Sequence, residues 1–150
     1  MRAAIIGSGG IGAALVEALL QRADLQKLYC FSRTAKPWLD TRVEVAALDI
    51  GDEASIASAA AQVDQPLDLV IIATGTLHGN QSDVAYKPEK ALSQLNSEAM
   101  SALFSVNTVG PALVLRYFAN KMRRDSSAVM AALSARVGSI GDNRLGGWYS

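Results

Sequence analysis

The distribution of apolar and polar residues divides the chain into alternating strands and helices. Near-continuous apolar runs are typical of strands covered on both faces, and apolar positions three or four residues apart are typical of helices that pack one face on a sheet. Alternation of the two predicts parallel strands joined by crossover helices, a doubly wound α/β sheet. Strands are predicted over residues 2–6, 27–32, 42–48, 67–73 and 127–133, and helices over 11–22, 52–63 and 96–122.

The first predicted strand leads into a glycine-rich turn and a helix. Gly7, Gly9 and Gly12 follow the spacing G-x-G-x-x-G. The first glycine permits a sharp turn, the second leaves no side chain between backbone and ligand, and the third lets helix and strand pack closely. Such a turn directs free N–H groups and the positive end of a helix dipole at one point, which suits a pyrophosphate. The alternative is a turn without a ligand, but the flanking strand and helix favour dinucleotide binding.

The end of the second predicted strand bears on the choice of cofactor. Ser32 lies about 20 residues beyond Gly12, where an NAD-binding unit usually has an acidic residue. Here Arg33 follows Ser32 instead. A guanidinium can bind a phosphate through two hydrogen bonds, and no carboxylate is present to repel that phosphate. The sequence therefore favours NADP over NAD; the alternative is an exposed arginine just past a strand.

The long predicted helix carries an amide on its apolar face. Asn96 is expected to cap its N-terminus, and Pro111 is expected to bend it, because proline lacks the N–H donor and clashes with the preceding turn. Asn107 falls on the same face as the apolar positions. A primary amide there needs hydrogen-bond partners. It either holds a water in a proton relay or bonds to the main chain and pins the bend.

Other polar candidates follow the predicted strands, whose carboxyl ends share one edge of a parallel sheet. Asp49 either accepts from an adenine amino group or begins a turn. Ser134 either donates to a substrate carbonyl or simply ends a strand. His78, the only histidine, is expected on the surface of a long polar loop over 74–95, which is functional or mobile. No spacing typical of metal ligands occurs.

Composition narrows the class of protein. The 150 residues fit one domain, 1–150, and 14 basic and 14 acidic residues give zero net charge. Without a long basic run, binding to nucleic acid or to a membrane surface is not expected. The only cysteine, Cys30, excludes an intrachain disulfide and fits a reducing compartment, so we expect a cytoplasmic protein. No uninterrupted apolar run is expected to span a bilayer.

Taken together, these segments resemble the short-chain dehydrogenase/reductase family, in particular its C-factor-like branch of carbonyl reductases. The resemblance implies a Rossmann fold, truncated here after the fifth strand. It also implies an NADP(H)-dependent oxidoreductase that acts on a small carbonyl or alcohol substrate and forms a homodimer or homotetramer. The matching segments are 7–12, 49–50, 73–75, 106–111, and 133–139 with 146–150.

The resemblance also implies roles for individual residues. Asn107 would be the asparagine of the proton relay, and Ser134 would orient the substrate oxygen. The implied cofactor-binding residues are Gly7, Ser8, Gly10, Ile11 and Gly12 around the pyrophosphate and ribose, Ser32, Arg33 and Thr34 at the 2′-phosphate, Asp49 and Ile50 at the adenine, and Ala73, Thr74 and Gly75 at the cofactor ribose.

Three features depart from the family pattern. Ile6 stands where the family has its first glycine, which makes the glycine turn one residue shorter. Ala135 occupies the usual serine position, so Ser134 is one residue early and Ser139 is a second candidate. No Tyr-x-x-x-Lys follows the serine candidates, because Tyr149 is the last tyrosine and no lysine comes after it.

The missing motif leads to a specific expectation. In this family the tyrosine supplies a proton, and the lysine lowers the pKa of that tyrosine. We therefore expect an N-terminal part of a reductase that binds cofactor weakly at best and turns over nothing measurable alone. The alternative is a non-catalytic dinucleotide-binding sensor. A methyltransferase is disfavoured, because an acidic residue would be expected where Ser32 and Arg33 stand.

Overall fold

The computed structural model describes residues 1–34, 36–81, 84–89 and 91–141. It contains seven strands and four α-helices in this part of the chain. The strands are β1 (Arg2–Ile6), β2 (Lys27–Ser32), β3 (Val43–Ala47), β4 (Leu69–Ile72), β5 (Gly79–Gln81), β6 (Val84–Tyr86) and β7 (Val129–Ala132), and the helices are α1 (Gly10–Leu20), α2 (Glu53–Ala61), α3 (Ser97–Phe104) and α4 (Gly110–Ala119).

Five parallel strands form the main sheet in the order β3-β2-β1-β4-β7. The first strand of the chain is therefore the middle strand of the sheet, and Ile6 lies opposite Phe31 on one side and Ile72 on the other. The strand order reverses beside β1, since β2 and β3 lie to one side and β4 and β7 to the other. This confirms the predicted doubly wound parallel sheet.

Alternate residues of β1 enter two separate cores. Ala4 and Ile6 join the core that Val114 and Phe118 of α4 complete on one face of the sheet. Ala3 and Ile5 join the core on the other face, which includes Val16 of α1. A strand directs successive side chains to opposite faces, so a continuous apolar run is what a doubly covered strand requires. Residues 3–6 are all fully buried.

Residues 97–119 form one helical run that is interrupted by a π-turn. Asn96 caps the run, because its side chain accepts from the N–H of Ala99. Residues Ser105–Val109 form the π-turn, in which the N–H of Gly110 reaches back to the carbonyl of Ser105. Pro111 comes one residue after Gly110 closes the turn, and it has no N–H to give to the carbonyl four residues earlier. The helix is therefore irregular next to Pro111, and the bend expected there stays a prediction.

The close approach of this helical run to the end of β3 depends on Gly110. A Cβ at Gly110 would overlap the carbonyl oxygen of Ile50 and lie 2.5 Å from its Cγ1. The helix can therefore sit against the turn that follows β3 only without a side chain at this position. This packing brings the π-turn to the carboxyl edge of the sheet.

One expectation from the sequence is wrong in the structure. Residues 74–95 are not a structureless loop, because β5 and β6 pair as an antiparallel hairpin and Leu92–Gln94 forms a 3₁₀ turn. Three-residue strands satisfy their backbone groups by local pairing and need no apolar alternation, so the pattern gave no sign of them. Although no uninterrupted apolar run occurs in it, the helix Ser97–Ala119 contains an 18-residue window of mean hydropathy 1.3 and is, by length and composition only, long and apolar enough to cross a membrane. Packing of Val114 and Phe118 on the sheet accounts for part of that apolar character.

Candidate functional site

The glycine turn after β1 has a backbone that only glycine adopts easily. Gly7 has φ of +105°, in the region that disfavours side chains. A Cβ at Gly7 would also lie 2.9 Å from Cγ2 of Thr74. The N–H of Gly7 donates to the carbonyl of Phe31 at 2.7 Å, which ties the turn to β2. The turn is thereby fixed between the ends of β2 and β4.

The glycines that follow Gly7 in this segment divide into one that packs, Gly12, and two that face open space, Gly9 and Gly10. A Cβ at Gly12 would overlap the carbonyl oxygen of Gly7, so the first turn of α1 lies directly against the glycine turn. By contrast, a Cβ at Gly9 or Gly10 would meet no atom within 4 Å. Close helix packing at the third glycine and open space at the second are the arrangement expected of a G-x-G-x-x-G turn.

The N-terminus of α1 presents backbone donors without a capping side chain. Gly9 is the N-cap residue and makes no side-chain cap bond, and the first turn of α1 has no acidic residue. The first N–H groups of a helix have no partners within the helix, and the helix dipole is positive there. Ser8 is half-buried and Ile11 is 64% exposed beside these donors. This end of α1 can bind an anion such as a phosphate.

The chain turns directly after β2 and leaves a cation exposed there. The hydroxyl of Ser32 donates to the carbonyl of Thr34 at 2.9 Å, which closes the turn. Arg33 and Thr34 are exposed. Within the described residues no carboxylate forms an ion pair with Arg33. The guanidinium is thus available to an anion at the carboxyl edge of the sheet.

Asp49 and Ile50 lie in the tight turn after β3. The carboxylate of Asp49 accepts from the N–H of Gly51 at 2.9 Å, and the N–H of Asp49 donates to the hydroxyl of Ser55, also at 2.9 Å. Asp49 therefore shapes the turn, and its side chain is exposed. Ile50 is only 6% exposed, because it packs against Gly110. Contact of either residue with an adenine stays a prediction.

The amide of Asn107 is bonded to the main chain that follows β4. Its Oδ1 accepts from the N–H of Thr76 at 2.8 Å, and its Nδ2 donates to the carbonyl of Thr76 at 2.7 Å. Of the two alternatives for this side chain, the structure has the bond to the main chain. The hydroxyl of Thr76 in turn donates to the carbonyl of His78, whose side chain is exposed. The π-turn therefore holds the start of the loop after β4.

The serine candidates follow β7 at the same edge. The N–H of Leu133 donates to the carbonyl of Ile72, so the parallel pairing carries the next residue, Ser134, to the edge beside the end of β4. Ser134 and Ser139 are both exposed, and the N–H of Ser139 closes a 3₁₀ turn at Arg136–Gly138. Tyr149 and the whole segment 146–150 lie outside the described residues.

Two features of the edge were not predicted from the sequence. The spacing of apolar residues along the helix gives no sign of the π-turn, and only the proline that follows it does. The hydroxyl of Thr74 is shielded from solvent and has no hydrogen-bond partner in the described part of the chain. In that same part, no group of three or more His, Cys, Asp or Glu side chains could hold a metal ion.

No family model and no curated protein sequence matches the chain. Solved structures do match it. An NADPH-bound carbonyl reductase from chicken fatty liver is 22% identical with a TM-score of 0.81 over 96% of this chain and 60% of the other. The putative carbonyl reductase Sniffer of Caenorhabditis elegans is 21% identical with a TM-score of 0.80, and the match covers 97% of this chain and 68% of the other. A putative short-chain dehydrogenase/reductase from Burkholderia multivorans with bound NADP is 19% identical with a TM-score of 0.75, and the match covers 95% of this chain and 62% of the other.

These matches show that the chain has the fold of short-chain dehydrogenase/reductase structures, carbonyl reductases among them. The fold that the sequence resemblance implied is therefore confirmed. The chain spans between 60% and 68% of the lengths of these three structures.

Proposed function

We propose that this chain belongs to the short-chain dehydrogenase/reductase family and forms the NADP(H)-binding part of an oxidoreductase that interconverts a carbonyl and an alcohol. The observation that carries the proposal is the position of the glycine turn. It follows the middle strand of a parallel sheet, at the point where the strand order reverses, and it lies against the N-terminus of α1. In open parallel sheets that point is where dinucleotides bind.

The residues present suit a dinucleotide. The N–H groups of Gly10 and Ile11 at the start of α1 would hold the diphosphate, and the open space at Gly9 leaves room for its approach. When bound, the nicotinamide supplies a hydride to the substrate carbon. The protein's part is to orient the two molecules at the carboxyl edge and to manage a proton.

The preference for NADP over NAD is proposed from the turn after β2. Arg33 is exposed and forms no ion pair with any described carboxylate, and Ser32 and Thr34 flank it. A guanidinium can grip a 2′-phosphate through two hydrogen bonds.

Asn107 and a serine are the proposed catalytic residues. The side chain of Asn107 is committed to Thr76, so we assign the proton-relay role to its main-chain carbonyl, to which Pro111 four residues later can donate no N–H. Ser134 would donate its hydroxyl to the substrate oxygen, because it follows β7 beside the end of β4. Ser139 is the alternative serine, and a variant pair, Ser134→Ala and Ser139→Ala, separates them by substrate affinity.

The proton donor itself is not assigned among the described residues. The expectation that the chain is the N-terminal part of a longer reductase, inactive alone, stays a prediction. The codons that follow Ser150 in the parent reading frame test it. A tyrosine and a lysine four residues apart would support the enzyme, and a stop codon would favour a dinucleotide-binding sensor.

Self-association in the cytoplasm is proposed from the outer face of the long helical run. Phe104, Val109 and Leu115 are 42%, 52% and 39% exposed. Exposed apolar side chains on one element favour contact with a second copy. The proposed state is a homodimer or homotetramer, and sedimentation equilibrium tests it.

Isothermal titration tests the proposed function directly. Injection of NADPH should release heat with one site per chain, NADH should bind more weakly, and S-adenosylmethionine should not bind. Binding of S-adenosylmethionine with no response to either nicotinamide dinucleotide would replace the reductase with a methyltransferase. Binding of NADPH by a complete parent protein that reduces no carbonyl compound would favour the sensor.

A further inference from the structure

The chain joins β2 to β3 without a helix. The two strands are parallel neighbours, and such strands are usually joined by a crossover helix that also covers one face of the sheet. Here residues 33–42 make the connection, and the described residues among them form no helix. We call this segment the β2–β3 connection. Cover for the sheet at this point has to come from side chains of the connection itself.

Trp38 supplies that cover. Its side chain is half-buried and packs on the core on the α1 side of the sheet, which includes Cys30 of β2 and Val16 of α1. The indole N–H donates to the sulfur of Cys30, which is fully buried. The next residue, Leu39, is by contrast fully exposed. Trp38 therefore anchors the middle of the β2–β3 connection to the sheet.

The connection is also tied at its start. The hydroxyl of Ser32 donates to the carbonyl of Thr34 at 2.9 Å, and Arg33 stands between these two residues. Only three residues separate Thr34 from the anchor, and the last of them, Pro37, has its φ angle fixed by its ring. A shift of Trp38 would therefore be passed along a short, restricted segment to the backbone of Arg33.

A fixed backbone matters for what Arg33 can bind. Its side chain is exposed and forms no ion pair with any carboxylate in the described part of the chain. A long exposed side chain already loses rotamer freedom when it binds an anion, and a loose backbone would add its own loss. Order imposed on the backbone before binding removes that second cost.

We propose that Trp38 is a positioning residue for Arg33, which it holds where the guanidinium can bind the 2′-phosphate of NADPH. Trp38 acts from the core through the backbone of residues 33–37, and not by contact with the cofactor. This inference rests on the proposed function, in which Arg33 meets the 2′-phosphate. It makes a residue buried beside Cys30 a determinant of the preference for NADPH over NADH.

Two substitutions of Trp38 test the role by the ratio of two dissociation constants. Trp38→Ala removes the anchor, so its Kd for NADPH should rise by about tenfold while its Kd for NADH stays within about twofold of the wild type, since NADH has no 2′-phosphate. Trp38→Leu keeps an apolar side chain and should show the same selective loss at about threefold. It keeps the test available if Trp38→Ala does not fold.

Leu39→Ala is the matched control, because it removes an apolar side chain of the same connection that packs on nothing in the core. Both of its dissociation constants should equal those of the wild type. Adenosine 2′,5′-bisphosphate and adenosine 5′-monophosphate should repeat the difference between NADPH and NADH, because they differ by the same phosphate. A lower melting temperature in Trp38→Ala is expected for any buried residue, so the ratio of the two Kd values is the deciding readout.

A double-mutant cycle tests whether Trp38 acts through Arg33. Arg33→Ala should bind NADPH more weakly than the wild type, and addition of Trp38→Leu to it should weaken binding no further. Losses that add in the double variant would overturn the inference. A Kd that rises by the same factor for NADPH and NADH in Trp38→Leu, or that does not rise for NADPH, would overturn it as well.

Failure of the proposed function is seen in the wild type and is therefore distinguishable. A wild type that binds NADPH and NADH equally would overturn the proposed cofactor preference, and one that binds neither would overturn dinucleotide binding. Either result would remove this inference with it. A wild type that prefers NADPH, with variants of Trp38 that keep the same preference, would overturn this inference alone.

Discussion

The amide of Asn107 holds both backbone groups of Thr76, accepting from its N–H at 2.8 Å and donating to its carbonyl at 2.7 Å. One side chain from the π-turn thus pairs with the loop after β4 as a neighbouring strand would. The relationship links the helix that faces the site to the loop that starts at the end of the central strands. It makes the loop position sensitive to any change in that amide.

Replacement of Asn107 by aspartate tests this link. Asn107→Asp keeps the shape and can still accept from Thr76 N–H, but at neutral pH its carboxylate repels the Thr76 carbonyl. We expect a loss of about 1–3 kcal/mol in the free energy of unfolding at pH 7, measured with urea. The loss should shrink as pH falls, because the protonated acid regains the donor. Thr108→Ala, an exposed change in the same π-turn, is the control and should alter stability little.

Substitutions at two glycines of the turn should have different effects, one on stability and the other on cofactor binding. Gly12→Ala would place a Cβ against the carbonyl oxygen of Gly7, so we expect a loss of stability of about 1–3 kcal/mol. Gly9→Ala meets no atom within 4 Å and has φ of −66°, so its melting temperature should match that of the wild type. Gly9→Ala should still bind NADPH more weakly, because the new methyl stands where the ligand approaches. If Gly9→Ala bound NADPH with wild-type affinity, the cofactor would not lie next to Gly9.

The cofactor preference should reverse on changing one charge. NADPH should raise the melting temperature of the wild type more than NADH does, and Arg33→Asp should invert that order, because a carboxylate repels the 2′-phosphate and can accept from the ribose hydroxyls. Arg124→Asp, an exposed change of the same charge after α4, controls for net charge and should keep the wild-type order. If NADPH and NADH raised the melting temperature of the wild type equally, Arg33 would not contact the cofactor.

Stability at acid pH should depend on Asp40. The side chain of Arg42 donates to both oxygens of Asp40 and to the carbonyl of Leu20 at the end of α1. Hydrogen bonds from the Arg42 side chain and backbone lower the pKa of Asp40 to about 2. The folded state therefore favours the carboxylate, and this stabilisation is present above about pH 4 and is lost as pH falls toward 2.

Asp40→Asn should accordingly lower the urea midpoint at pH 6, and its difference from the wild type should vanish near pH 2. Asp125→Asn removes a carboxylate that is 84% exposed and 3.7 Å from Arg123, and serves as the comparison. An Asp40→Asn difference that stays constant from pH 6 to pH 2 would contradict the assignment.

The sequence predicted the sheet well because its signal is strong. The strands around β1 are apolar on both faces, and the helices begin at residues that can cap them, as Asn96 and Asp52 do. The need of Asn107 for hydrogen-bond partners also followed from the cost of burying an amide, but the sequence left open whether those partners are a water or the main chain. What the sequence did not reveal depends on local geometry. The β5–β6 hairpin uses only backbone pairing, and the unpaired hydroxyl of Thr74 depends on a rotamer.

The π-turn at Ser105–Val109 also determines how the helical run responds to the loss of one residue. A π-turn accommodates one residue more than regular helical winding would. Removal of a single residue between positions 105 and 109, with a return to regular α-helical winding, would leave α3 in nearly its present rotation relative to α4, because the π-turn already absorbs the extra residue. The Asn96 cap and the buried Leu103 would then keep their present neighbours. A one-residue deletion within α3 or α4 would instead rotate the two helices relative to each other by about 100°, and should therefore be more damaging to this packing.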